Sequence, residues 1–321
     1  FQDPARITPE LAMRAAVLAL LRGQGPLGLA WLDAAQSKVT PQTDNAPGFW
    51  RFTAQLAEQQ QKDALATQAY RKLLPTEDVD VGDFDALIRI LQTDQPLEAA
   101  AVSTLAWERY DEPRHLVQAL TLYVSRSQWA AVKRLLGQID PAPQATRHAL
   151  ARLRKEPEFL RLAGTYYQNT GQHQQARQYY EAGLQASPQS SAMRHALLWL
   201  FIDSNDTVAL RELLALHEPA WSQDEEVHDA LASAYQALSL PTVALERYLQ
   251  PRIASHQTDL LWLMNYADAL DQNQQSDRAW RLRRHLLSAE WQKARQNDGG
   301  PRLSHAQARA RWLTEEGLDE V

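Results

Sequence analysis

Cysteine is absent from all 321 residues. That excludes disulfide frameworks, thiolate metal sites and cysteine nucleophiles, and it suits a reducing cytosol and an oxidising periplasm equally. Long apolar runs are also missing: none approaches the roughly 20 residues that a membrane span needs. Positive charge is scarce, with 33 Lys and Arg against 39 Asp and Glu for a net charge of −6. Nucleic acid and anionic lipid, which call for clustered Lys and Arg, are therefore not expected partners. No run of alternating β-branched residues occurs, so strands are not expected. No secretory signal is visible, and the chain opens at Phe1 without an initiator Met. It reads as an excised segment or a mature fragment, so the missing signal says nothing about the compartment.

What is present is apolar content of 45%, including ten Trp, enough for a folded chain. Its order carries the information. Small residues twelve positions apart recur about every 34 residues. They are Ala54/Ala66, Ala119/Ala131, Gly164/Ala176, Ala232/Ala244 and Ala267/Ala279. Four positions after the second member stands Tyr70, Leu135, Tyr180 or Tyr248, with Arg283 as the exception. Such pairs let two antiparallel helices approach at one crossing point. A fixed period of this length marks a stack of helical hairpins.

The clearest copy runs from Pro157 to Pro188, with Leu160, Ala163, Gly164 and Tyr167 on one helix face. Gly171 breaks the pattern and Ala176, Tyr180 and Gly183 mark a second face. Further copies cover 47–79, 112–145, 225–258 and 260–292, with weaker ones at 11–44, 80–111 and 191–224. The expectation is an all-α solenoid of about eight hairpins. It divides into N-terminal repeats over 5–145, an inserted helix or bend at 146–156, and C-terminal repeats over 157–296. A terminal helix over 302–317 caps the stack or begins another repeat. Gly23 to Gly25 reads as an inter-helix turn, lacking the strand-to-helix context of a phosphate loop.

Large–small–aromatic in the first helix and Ala–aromatic–small–Pro in the second resemble the tetratricopeptide repeat (TPR). That resemblance implies a superhelical solenoid whose concave face is lined by the second, fifth, ninth and twelfth positions of each copy. Early in the chain these are Arg51, Gln55 and Glu58, then Arg161, Thr165 and Gln168. Later they become Glu226, Asp229, Ser233 and Gln236, then Met264, Asp268 and Asp271. The groove is expected to turn acidic over its last two repeats and to favour a cationic ligand.

Catalytic chemistry finds little support. Glu225, Glu226, His228 and Asp229 form the one cluster with metal-ligand or acid/base potential, set against an acidic helix N-terminus that complements the macrodipole. The expectation is a non-enzymatic protein with no catalytic residues, no metal and no cofactor. Arg278, Arg281, Arg283, Arg284 and His285 read as a solvated face or as a docking patch for an acidic partner. Most Trp, including Trp50, Trp199 and Trp262, fall where packing is expected.

Leu260 to Leu270 with Arg278 to His285 resembles the periplasmic repeat region of the Pel exopolysaccharide export family, whose members join a TPR array to an outer-membrane porin. A cellulose-export relative shares that plan. The resemblance implies a periplasmic scaffold for a polysaccharide-modifying deacetylase or hydrolase. It also implies contact with cationic exopolysaccharide, and no direct membrane insertion by this segment.

Overall fold

The computed structural model describes residues 7–40, 42–139, 151, 153–256 and 259–298. Among them the chain is helical, with no strand. The helices are α1 Pro9–Leu21, α2 Gly25–Ala35, α3 Ala46–Gln59, α4 Asp63–Leu73, α5 Val81–Asp94, α6 Pro96–Tyr110, α7 Pro113–Ser125 and α8 Trp129–Ile139. They continue with α9 Pro157–Asn169, α10 His173–Ala186, α11 Ser191–Asp203, α12 Thr207–Trp221 and α13 His228–Ala237. Helix α14 starts at Pro241–Val243, passes through a π-helical turn over Ala244–Leu249 and closes as a 3-10 turn over Gln250–Arg252. The last two are α15 Leu260–Gln272 and α16 Ser276–Asp298.

The chain forms two compact units, residues 1–170 and 171–321. In the first, α1/α2, α3/α4, α5/α6 and α7/α8 pack as hairpins, and α9 packs on α7 and α8. In the second, α11/α12, α13/α14 and α15/α16 pair likewise, with α10 against α11. The expected insert or bend at 146–156 and the terminal helix at 302–317 lie largely or wholly outside the described residues.

Within each unit the small pairs sit at the crossings of its hairpins. Ala54, Ala66, Ala119, Gly164, Ala176, Ala232, Ala244, Ala267 and Ala279 are buried, and Ala131 is half-buried. The first hairpin carries a pair of its own, Ala16/Gly28, both buried. A β-carbon on Gly28 would lie 3.1 Å from the Ala16 carbonyl oxygen. In α5/α6 and α11/α12 the same spacing is held by Leu87/Ala99 and Leu197/Ala209, so the crossing tolerates one leucine.

Local backbone chemistry builds the hairpin turns. Each first helix except α5 is followed by a residue with left-handed φ: Gly23, Gln61, Ser127, Gly171, Asn205, Ser239 and Gln274, at φ of 53° to 75°. In six of these turns the next amide donates to the carbonyl five residues back. Gln24 reaches Ala19 at 2.8 Å, Lys62 reaches Ala57 at 2.8 Å and Gln275 reaches Leu270 at 2.9 Å. This is the Schellman closure, which satisfies carbonyls left open at a helix end. Only two of the seven positions are glycine, so the turns are largely silent in composition. Between the helices, apolar side chains fill the core: Phe49, Leu56, Tyr70, Leu87 and Leu91 in the first unit, and Tyr180, Leu198, Leu231, Tyr248 and Trp262 in the second.

Candidate functional site

The polar positions singled out on α13 meet α15, but through Trp262 and Asn265 rather than through Met264, Asp268 or Asp271. Asp229 accepts from the indole nitrogen of Trp262 at 2.9 Å. Gln236 donates to Asn265 at 2.7 Å, and Asn265 reaches the Ser233 hydroxyl at 3.5 Å. A polar seam thus joins two consecutive first helices. Trp262 is buried and the other members are half-buried, so the seam holds the repeats together and still faces solvent on one side.

Arginines from the second helices answer the acids. Arg252 at the end of α14 binds Asp229 at 2.7 Å. Arg283 on α16 binds Asp268 at 2.6 Å and Asp271 at 3.1 Å. Asp271 also accepts from Ser276 at 2.6 Å, and that hydrogen bond followed by the Arg283 charge holds its carboxyl below the usual carboxylate range, against the opposing effect of burial. Glu226 is exposed, and its carboxylate has no partner among the described residues. The four carboxylates Glu226, Asp229, Asp268 and Asp271 face two guanidiniums, an acidic excess of two.

Sequence reading missed these counter-ions, although a signal was present. Arg283 is the one exception to the aromatic or aliphatic residue after each small pair, and it is buried. It stands twelve residues after Asp271, as Tyr70 stands twelve after Glu58, and the Tyr70 hydroxyl donates to Glu58 at 2.5 Å. A second twelve-residue pair, one turn beyond the small one, carries a polar bond across the hairpin.

The other expected positions are engaged locally. Arg161 binds Glu158 one turn earlier, at 2.6 Å and 2.9 Å, and the Thr165 hydroxyl donates to the Arg161 carbonyl. Gln168 is half-buried on the same helix, α9, in the first unit. Arg51 grips the buried Asp83 with two nitrogens, at 3.0 Å and 2.7 Å, and Glu58 also pairs with Arg89. Gln55 is exposed. In α5, α7 and α11 the corresponding positions hold Phe84, Ile88, Leu116, Leu120, Leu198 and Phe201, all buried. The polar stripe is therefore broken by apolar stretches within each unit.

Two of the clefts formed by the described residues lie in the second unit. One, of about 350 Å³, is lined by Glu218, Ser222, His228, Arg247 and Tyr248. Glu218 accepts from Tyr248 at 2.6 Å, Tyr235 at 2.7 Å and Arg247 at 2.9 Å. Burial works to raise its pKa, but the bonds from Tyr248, Tyr235 and Arg247 outweigh it and the carboxyl is lowered. Burial, then the Glu218 bond, pushes Tyr235 up to about 12 and Tyr248 further still. The other cleft, of about 450 Å³, is lined by Arg194, Asp224, Glu225, Glu226 and nearby Gln side chains. The buried Arg194 binds Asp224 at 2.8 Å and the Pro188 carbonyl at 2.7 Å.

The Glu225–Asp229 cluster is drawn apart. Glu225 and Glu226 fall in a 3-10 turn capped by Asp224, His228 Nε2 donates to the Ser222 carbonyl at 2.9 Å, and Asp229 faces Arg252. No group of three or more potential metal ligands occurs among the described residues. Of the basic run, Arg283 is buried and paired while Arg278, Arg281, Arg284 and His285 are exposed. Trp50 and Trp262 are buried as expected. Trp199 corrects the packing expectation: it is 41% exposed on α11, because its neighbours Leu198 and Phe201 hold the inward face. No helix among the described residues is long and apolar enough to cross a membrane.

A tetratricopeptide repeat family model matches residues 3–292. No curated protein matches the chain. Solved structures with related architecture include the C-terminal part of a TPR repeat-containing protein from Cytophaga hutchinsonii, 13% identical with a TM-score of 0.44, covering 84% of this chain and 98% of that one. Another is the human IFIT1 dimer with m7Gppp-AAAA, 13% identical with a TM-score of 0.43, covering 88% of this chain and 68% of that one.

Proposed function

Because the chain belongs to the tetratricopeptide repeat family, we propose that it is a non-enzymatic scaffold that binds a protein partner. The observation that carries this reading is the polar seam of α13 and α15. It presents Asp229 and Gln236 on α13 and Asp268 and Asp271 on α15, with the exposed Glu226 in the turn before α13, so that hydrogen-bonding groups and a small acidic excess lie on consecutive repeats. Half-buried, pre-oriented side chains of this kind lose little entropy when a partner docks.

The finer proposal concerns the partner. The likeness of residues 260–285 to the Pel export family supports a periplasmic scaffold. It would recruit a polysaccharide deacetylase or hydrolase and help guide polymer to an outer-membrane porin. Partly deacetylated amino-sugar polymer is cationic, and the acidic excess at the seam suits it. Titration calorimetry against a Pel-type deacetylase, and separately against a partly deacetylated amino-sugar oligomer, tests the proposal. The expected result is saturable binding to the enzyme, and oligomer binding that weakens with salt and with Glu226→Gln. Failure of both ligands to bind at low salt overturns the export reading.

The second reading is a general adaptor that takes a peptide in the groove, or the equivalent part of a cellulose exporter. The pairing of Arg252 and Arg283 with the stripe favours the peptide, since a mixed-charge surface matches a segment bearing both signs.

A further inference from the structure

The turn that ends α11 and opens α12 reads Asp203-Ser204-Asn205-Asp206-Thr207. Asparagine followed at the second position by Ser or Thr, with no proline between, is the acceptor pattern of N-linked glycan transfer. Of the asparagines in the chain, Asn205 alone has it. An acid two residues before the asparagine extends the pattern to the form that bacterial oligosaccharyltransferases take. That carboxylate offers the enzyme a charge-assisted contact.

Backbone requirements account for two of these residues. Asn205 sits at φ 53°, a left-handed position that asparagine tolerates better than most. Asp206 caps α12, its carboxylate accepting from the Ala209 amide at 3.0 Å. Thr207 has no such duty. The other six turns hold Gly25, Asp63, Trp129, His173, Pro241 and Ser276 at its place, so the closure does not call for a hydroxyl there. Main-chain bonds hold the turn: the Asn205 amide donates to the Ile202 carbonyl at 3.0 Å, and the Asp206 amide to the Phe201 carbonyl at 3.0 Å. Neither the Asn205 carboxamide nor the Thr207 hydroxyl has a partner among the described residues, and Asn205 is exposed. A substituent on the carboxamide nitrogen therefore breaks no bond of the fold.

We propose that Asn205 is an acceptor for an N-linked oligosaccharide. The carboxamide nitrogen bonds to the anomeric carbon of a sugar carried on a polyprenyl pyrophosphate. The bond from that carbon to the pyrophosphate oxygen breaks, and its electron pair leaves with the lipid pyrophosphate. The proton displaced from the nitrogen passes to the transferase. Transfer takes place on the extended chain during translocation, before α11 and α12 close the turn. The proposal rests on the export reading only for the compartment, because donor lipid and transferase act on translocated chains.

The test exports the intact chain, behind an added signal peptide, in a bacterial host that carries a bacterial oligosaccharyltransferase and its lipid-linked oligosaccharide. Peptide mass spectrometry is expected to find one glycan, on Asn205. Asn205→Gln and Thr207→Val should each abolish it, and Asp203→Asn should lower its occupancy about 10-fold. Misfolding does not mimic these losses, since an unfolded chain presents the acceptor at least as well. A native chain left unmodified in cells that glycosylate a control acceptor overturns the proposal. So does a glycan that survives Asn205→Gln or Thr207→Val, or full occupancy in Asp203→Asn. Because the added signal peptide supplies the compartment, each outcome is independent of the partner-binding tests above.

Discussion

Gly28 of α2 lies against Ala16 of α1 so closely that a β-carbon at position 28 would stand 3.1 Å from the Ala16 carbonyl oxygen and 3.3 Å from its α-carbon. Both neighbours are backbone and cannot rotate away. Gly28→Val is therefore expected to destabilise the chain by about 1–3 kcal/mol, the usual cost of overpacking. Gly183 in α10 is the control. The nearest atoms that a β-carbon there would meet belong to the Met193 side chain, which is flexible and yields. Gly183→Ala should be neutral or stabilise by up to about 1 kcal/mol through helix propensity. Urea midpoints of the two variants check the contrast, and similar losses at both sites would refute the crossing argument.

Asp83 is buried, accepts from Arg51 and closes a capping box with Asp80 at the start of α5. Asp83→Ala leaves the Arg51 guanidinium and the Asp80 amide without that partner. The expected loss is about 2–4 kcal/mol, a broken partly buried pair plus a lost cap. Asp80→Ala loses the cap and only a longer, solvent-exposed contact with Arg51 at 3.6 Å, about 1 kcal/mol in all. Chemical denaturation of both variants gives the order directly.

Charge at the groove should be probed through Glu226 rather than through the aspartates. Asp268→Asn with Asp271→Asn strips the largely buried Arg283 of both ionic partners. That double variant is expected to melt at a lower temperature than the native chain, whatever it binds. Glu226→Gln should melt unchanged and weaken only a cationic ligand. An unchanged melt for the aspartate pair would show that Arg283 does not depend on these two ionic partners.

Tyr70, Tyr235 and Tyr248 should ionise late in the folded protein. Burial first, then hydrogen bonds to Glu58 or Glu218, raises each above the ordinary value near 10. A raised folded-state pKa means that the associated stability is whole below the unfolded value and is lost as pH rises through the folded one. Absorbance titration at 295 nm is expected to leave these three of the ten tyrosines silent at pH 11. Tyr70→Phe should remove one late phenol. Simultaneous titration of all ten in the folded state would contradict the geometry.

Acid should destabilise the second unit in two steps. His217 is lowered by burial and by the Arg194 charge, so protonation favours the unfolded chain as pH drops below the ordinary value of 6.5. Glu218 is also lowered in the balance, so its contribution is present above the ordinary 4.5 and is lost as pH falls through the depressed value. Urea midpoints measured from pH 7 to pH 3 should decline throughout, and Glu218→Gln should flatten the lower part. A midpoint that rises on acidification would oppose both assignments.

The twelve-residue small pair made the crossings legible in the sequence, because close approach of two backbones admits few residue types. It located most hairpins and, through them, the positions of Arg161, Glu226, Asp229 and Asp268. The first hairpin's Ala16/Gly28 pair obeys the same rule, but the leucines around it mask the pattern. The turns were harder: Gln61, Ser127 and Ser239 adopt left-handed φ without being glycine, since the Schellman hydrogen bonds offset a cost that composition alone would signal.

Sequence alone thus determined the repeat, its period and which side chains share a face. These depend on spacing along one helix, and spacing is written in the chain. Tertiary structure decided what those side chains meet. That Arg252 and Arg283 neutralise half of the acidic stripe, that Trp262 closes on Asp229, and that Leu56 is covered by Gly28 of the preceding hairpin all depend on contacts between residues 12 to 33 positions apart. Pairing across such distances follows from how hairpins stack, and no local pattern encodes it.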